Sequence, residues 1–227
     1  MPFRSSQVIP PFQRGVRGDS PFQLADPNAQ RRKTFINLVK KRVQPGTGSS
    51  LDFLKKRTWS NLVVNLKSII KRVPFVIVGG VATRLYMPER MTVDLNILIK
   101  TEDASLAYED LAEAGSQKQN DLSIAGSEWT LSDGTSLDVL EVDEAWAVSA
   151  IASPNYAPDG SPVIALPYLV LMKLLAGRSQ DLADISRMLG GATQQEIQEV
   201  REVIEQYLPS AIEDLESLIT LGKLEQE

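Results

Sequence analysis

Residues 75–99 read FVIVGGVATRLYMPERMTVDLNILI, and this stretch decides the fold. An apolar run of β type, Phe75–Val78, enters a Gly79-Gly80 step. A helix-like segment follows, and then a second β run that carries Asp94 and Asn96. Glycines at a strand-to-helix turn let backbone N–H groups approach a phosphate, and the helix start behind them favours negative charge. Residues two apart on a strand share a face, so Asp94 and Asn96 are expected side by side, with Val93, Leu95 and Ile97 turned into a core. A phosphate cradle facing an oxygen-ligand cluster points to metal-assisted chemistry on a nucleotide.

Composition narrows the chemistry further. The chain has 227 residues, enough for one good core with a small appendage, and its hydrophobic and charged contents of 43% and 23% are those of an ordinary globular protein. The absence of cysteine excludes disulfides, thiolate metal sites and cysteine nucleophiles, and the absence of histidine excludes Ser-His-Asp triads and histidine ligands. Catalysis must then rest on carboxylates, Lys, Arg, Tyr, hydroxyls or a hard metal held by oxygen. No apolar run approaches the roughly 20 residues that span a bilayer, and no signal-peptide pattern follows the start, so the expectation is a cytoplasmic protein with no membrane partner.

Charge is uneven along the chain. Residues 1–72 hold 15 of the 24 Lys and Arg against Asp19, Asp26 and Asp52, a balance of +12, while the remainder carries −17. This asymmetry fits contact with RNA through the basic region, contact between the two halves, or a solvated basic tail. Residues 1–49 are expected to form a disordered or loosely ordered basic arm, with a short helix over residues 31–43. Residues 1–30 show no apolar period and are broken by Pro and Gly. Residues 50–165 are expected to be an α/β domain and 166–227 a helical C-terminal part.

Within that frame, a helix is expected over residues 50–72, then the strand Phe75–Val78. Asp103–Ala114 reads as a helix stopped at Gly115. Glu128–Leu131 and Ser136–Val142 read as a hairpin closed by Ser132-Asp133-Gly134-Thr135, since Asp-Gly is a strong hairpin signal. Residues 151–162 read as a loop and 163–165 as a short strand. Helices are expected from Pro167 to Ala176, from Ser179 to Leu189, after a Thr193–Glu196 capping box, and from Pro209 onward.

Asp138 alternates with Leu137 and Val139, so it shares the polar side of its strand. Asp and Asn are poor strand residues, so Asp94, Asn96 and Asp138 on two apolar strands need a reason. Either they sit at water-facing strand ends, or they form one oxygen cluster.

The pattern of apolar-Gly-Gly, Arg90-Met91-Thr92-Val93-Asp94-Leu95-Asn96 and a later strand Asp resembles the nucleotidyltransferase superfamily related to DNA polymerase β. It is most similar to minimal nucleotidyltransferases and to the toxin nucleotidyltransferases of abortive-infection toxin–antitoxin systems. The likeness spans Phe75 to Val142 and extends to Lys173 and the RSQDLADISRML segment from Arg178. It implies an α/β fold with a short mixed sheet and a helical tail, and transfer of a nucleoside monophosphate from an NTP to a hydroxyl of RNA, protein or a small molecule. It implies that Gly79 and Gly80 cradle the triphosphate. Asp94, Asn96 and Asp138 would bind Mg²⁺ or Mn²⁺, Asp138 also acting as base, and Lys173 would reach a phosphate or the nucleotide. Asp181, Asp184, Arg84 and Arg90 would complete the nucleotide site, and a cognate antitoxin becomes a candidate partner. A solvated Arg178–Asp181 surface pair is the plain alternative for the two helix aspartates.

The chain departs from that family at Asn96, where a carboxylate is expected. Asn offers a carbonyl oxygen to a cation but no charge. Two readings follow: a nucleotidyltransferase, or a weakened or inactive module of that fold that binds nucleotide or a partner protein.

Overall fold

The structure is a computed structural model that describes residues 24–42, 59, 64–88 and 94–225. Its helices are α1 (Ala29–Lys40), α2 (Leu66–Ile69), α3 (Gly79–Thr83), α4 (Ala104–Glu113), α5 (Ala145–Ala152), α6 (Leu166–Ala176), α7 (Ser179–Gly190), α8 (Gln194–Tyr207) and α9 (Ile212–Leu224). The strands are β1 (Val76–Val78), β2 (Leu95–Lys100), β3 (Gln117–Asp121), β4 (Gly126–Thr130), β5 (Ser136–Val142), β6 (Asn155–Tyr156) and β7 (Pro162–Val163). They form one mixed sheet in the order β3-β4-β5-β2-β1-β7-β6.

Central strands are covered on both faces, and their sequences show it. Val76, Ile77 and Val78 are all fully buried, as are Ile97, Leu98 and Ile99. Such unbroken apolar runs are what a sheet with helices on both sides demands. β2 pairs antiparallel with β1 and parallel with β5, so the start of β2 and the start of β5 lie at the same end as the exit of β1. That shared end positions the site.

The helical part packs by close approach of α9 to α7. Gly222 makes the crossing possible, because a Cβ there would lie 2.0 Å from the Ser186 carbonyl oxygen and 2.9 Å from the Gly190 nitrogen. The capping box at the start of α8 is formed: the Thr193 N–H donates to Glu196 Oε2 at 2.7 Å, and the Glu196 N–H donates to Thr193 Oγ1 at 3.2 Å. Apolar Leu215, Leu218 and Ile219 of α9 are buried as their spacing requires.

Several expectations change. The described part of the basic arm, residues 24–42, is docked rather than loose. Arg32 is fully buried, its Nε donating to Asp214 at 2.9 Å and its two Nη atoms to Asp26 at 2.6 Å each. One of the charges counted as basic surface is therefore internal wiring between α1 and α9. Of the helix expected over residues 50–72, the described residues show only the single turn α2. β3, β6 and α5 were not foreseen, and β6 falls inside the expected 151–162 loop. β3 is QKQND, exposed at every position, so it carries no apolar alternation to read.

Candidate active site

The sheet lays its polar groups in a row. Val78 opposes Asn96 across β1 and β2, Asn96 opposes Asp138 across β2 and β5, and Asp138 opposes Glu128 across β5 and β4. Directly opposed residues project from the same face, so Asn96, Asp138 and Glu128 stand side by side. Asp94 immediately precedes β2, is exposed, and is joined to Asn96 by the amide, whose Nδ2 donates to the Asp94 carbonyl oxygen at 3.2 Å.

The β1–α3 turn closes onto this row. Gly79 has φ of +69°, and a Cβ there would meet Asn96 Nδ2 at 3.0 Å, so both the backbone conformation and the close approach ask for glycine. Thr83 Oγ1 donates to the Gly80 carbonyl oxygen at 2.6 Å and steadies the turn.

Asp138 is half-buried, and its carboxyl is pushed above the usual carboxylate range, first by burial and then by the negative charges of Glu128 and Asp94. Among the described residues no cation pairs with Asp94 or Asp138. Nor do three or more Asp, Glu, His or Cys side chains come together there to share a metal ion. Asn96, in the middle of the row, adds an oxygen but no charge, and the carboxylates beside it are Asp94, Asp138 and Glu128.

These residues line a cavity of about 650 Å³, with Gly79, Gly80, Asp94, Asn96 and Asp138 on the sheet side. Leu169, Met172, Leu175 and Ala176 of α6 form an apolar wall, which Leu140 extends on the sheet. Lys173, Arg178 and Asp181 also reach the lining.

The helical residues singled out in the sequence come together as a network of ion pairs. Lys173 Nζ bonds Asp184 Oδ2 at 2.7 Å and Asp181 Oδ1 at 3.1 Å, and Arg178 Nε bonds Asp181 Oδ2 at 2.6 Å. Lys173, Asp181 and Asp184 are 5%, 3% and 1% exposed, so the solvated surface-pair reading of the aspartates is corrected. Their α7 face turns inward onto Lys173 of α6. Burial pushes the Asp181 carboxyl up, but Arg178 and Lys173 outweigh it and hold it below the usual range.

Arg84 is buried at the end of α3 and is not part of the cavity lining. Arg90 lies outside the described residues. Two neighbours of the site escaped the sequence reading. Glu128 was half-legible through the hairpin: the turn joins its strand to that of Asp138, but the bond from the Leu131 N–H to the Thr135 carbonyl sets the register that puts it opposite Asp138. Trp146 sits on α5, a helix whose AWAVSAIA sequence has neither a cap nor an amphipathic period to announce it.

No family model matches the chain, and no curated protein matches it. Among solved structures, the chain is similar to the solution structure of the antibiotic-resistance factor ANT(2'')-Ia, with a TM-score of 0.37 and 16% identity, covering 67% of this chain and 83% of that one. It is also similar to the crystal structure of ANT(2")-Ia in complex with adenylyl-2"-tobramycin, with a TM-score of 0.35 and 17% identity, covering 67% and 88%.

Proposed function

We propose that the protein transfers a nucleoside monophosphate from an NTP to an acceptor hydroxyl. The observation that carries this reading is the convergence of Gly79, Gly80, Asp94, Asn96 and Asp138 on one end of the sheet and one cavity. The acceptor oxygen attacks the α-phosphorus, the bond to the β-phosphate oxygen breaks, and pyrophosphate leaves. Asp138 takes the hydroxyl proton. Burial and the charges of Glu128 and Asp94 move its carboxyl upward, toward the working pH, which is the direction that favours a base.

The donor set fits one hard divalent cation. Asp94, Asp138 and the carbonyl of Asn96 are oxygen ligands of the kind Mg²⁺ takes together with substrate phosphates. When bound, the ion would offset the negative charge of the triphosphate. Gly79 and Gly80 allow the β1–α3 backbone to approach the phosphates. Lys173, with Asp181, Asp184 and Arg178, acts here by holding α6 and α7 in place beside the nucleotide.

Incubation with each α-labelled NTP and Mg²⁺ or Mn²⁺ tests the reading. Total RNA, total protein and a small-molecule extract are supplied as separate acceptors. Label on any acceptor, lost in Asp138→Asn, supports transfer. Label on RNA favours the toxin reading and a search for a cognate antitoxin, and label on a small molecule favours the kind of product named for ANT(2")-Ia. Binding of NTP with no label on any acceptor favours the second reading, a nucleotide-binding module, for which the uncharged Asn96 speaks.

A further inference from the structure

The chain has three tryptophans, and their indole N–H groups are not treated alike. Trp59 Nε1 donates to Asp159 at 2.6 Å, and Trp129 Nε1 donates to Ser127 Oγ at 2.8 Å. Trp146 is 4% exposed, yet its Nε1 has no acceptor among the described residues. Buried tryptophan N–H groups usually find a partner, since leaving one unmade forfeits the bond it had to water. Trp146 also lines the candidate site, where it joins Leu140, Leu169 and Met172.

We propose that Trp146 is a specificity-determining residue whose indole N–H reads a hydrogen-bond acceptor on the nucleobase of the bound NTP. This rests on the nucleotide-binding reading above and adds where the base goes. The lining divides by chemistry, with carboxylates and glycines on the sheet side and an apolar wall on α6. A nucleoside triphosphate divides in the same way, into a polyanionic chain and a flat ring. A phosphate does not suit the Trp146 donor. Among the described residues the cations that line the cavity are Lys173 and Arg178, and both are engaged, Lys173 with Asp181 and Asp184 and Arg178 with Asp181, so a charged oxygen buried against that wall would lack a free cation. A base ring is neutral, stacks against apolar side chains, and carries ring nitrogens or carbonyls that accept from an N–H.

The test compares the wild type with Trp146→Phe, which keeps an aromatic ring and removes the donor. Affinities for the four NTPs and for inorganic tripolyphosphate are measured by calorimetry. In parallel the ¹⁵N-labelled indole signals of the wild type are followed, assigned with Trp59→Phe and Trp129→Phe. The expected result is about a tenfold loss of affinity for the preferred NTP, the worth of one hydrogen bond. Tripolyphosphate binding is expected to be unchanged, and only the Trp146 signal to move on NTP addition. An unmoved Trp146 signal, or equal NTP affinity in the variant, overturns the proposal while leaving nucleotide binding intact. Equal losses for NTP and tripolyphosphate mean a merely structural role and also overturn it. If the wild type binds no NTP, the function proposed above falls and this inference falls with it.

Discussion

On the helical side of the cavity, Asp181 and Asp184 share the ammonium of Lys173, and Asp181 takes the Arg178 guanidinium as well. On the sheet side, Asp94 and Asp138 face each other and Glu128 with no cation among the described residues. In the first set the carboxylates are buried and each has a cation partner, and the pairs hold α6 against α7. The second is left with like charges in proximity, which is unfavourable for the isolated chain and useful only when something positive arrives. On the proposed reading, residues of the same type serve as scaffold where the fold neutralises them and as a site where it does not.

The sharpest way to break this contrast is Asp138→Asn. Transfer is expected to fall by about 10²–10⁴-fold, the range for loss of a general base. The folded protein is expected to be no less stable, since a like charge is removed, and thermal melting checks that half. Lys173→Met should do the reverse. It takes the shared ammonium away from two buried carboxylates, and breaking a buried pair from one side costs about 3–5 kcal/mol, measurable by urea unfolding. Arg178→Ala, whose side chain is 70% exposed, should cost about 1 kcal/mol or less.

Gly79→Ala falls between the Lys173 and Arg178 variants. Forcing a Cβ into left-handed backbone costs about 1–2 kcal/mol, and the Asn96 contact at 3.0 Å adds to it. The smallest effect is in pH dependence. The Asp138 carboxyl is raised in the folded state, so its unfavourable contribution is fully present above its folded pKa and disappears as pH falls to the ordinary carboxylate range. The Asp181 carboxyl is lowered, so its favourable contribution is present above the ordinary range and is lost as pH falls through its folded pKa. The stability advantage of Asp138→Asn over wild type should therefore shrink on acidification from neutral pH, whereas that of wild type over Asp181→Asn should shrink only at lower pH.

What could be read in the sequence followed from local rules. The Gly-Gly exit of an apolar strand, the Asp-Gly hairpin and the Thr193–Glu196 box each depend on a few neighbouring residues, and each was visible as a short pattern. The placement of Asn96 beside Asp138 was half-legible: alternation told which face each takes, but only the parallel pairing of β2 with β5 sets the register. The buried state of Arg32, Lys173, Asp181 and Asp184 was not legible, because a charge looks solvated until its partner from a distant segment is known. Arg32 and Asp214 are 182 residues apart. β3 and α5 were missed for opposite reasons, one having no apolar residue to alternate and the other almost nothing else.

The central claim is that the sheet-side carboxylates are unbalanced because they are meant to receive a cation with a nucleotide. Calorimetric titration of Mg²⁺-ATP into the wild type, Asn96→Asp and Asp94→Asn tests it most directly. Divalent-cation affinity rises with the number of charged oxygen ligands, so Asn96→Asp should bind more tightly than wild type and Asp94→Asn should lose binding. Equal binding by all three proteins would contradict the claim and remove Asp94 and Asn96 from the site.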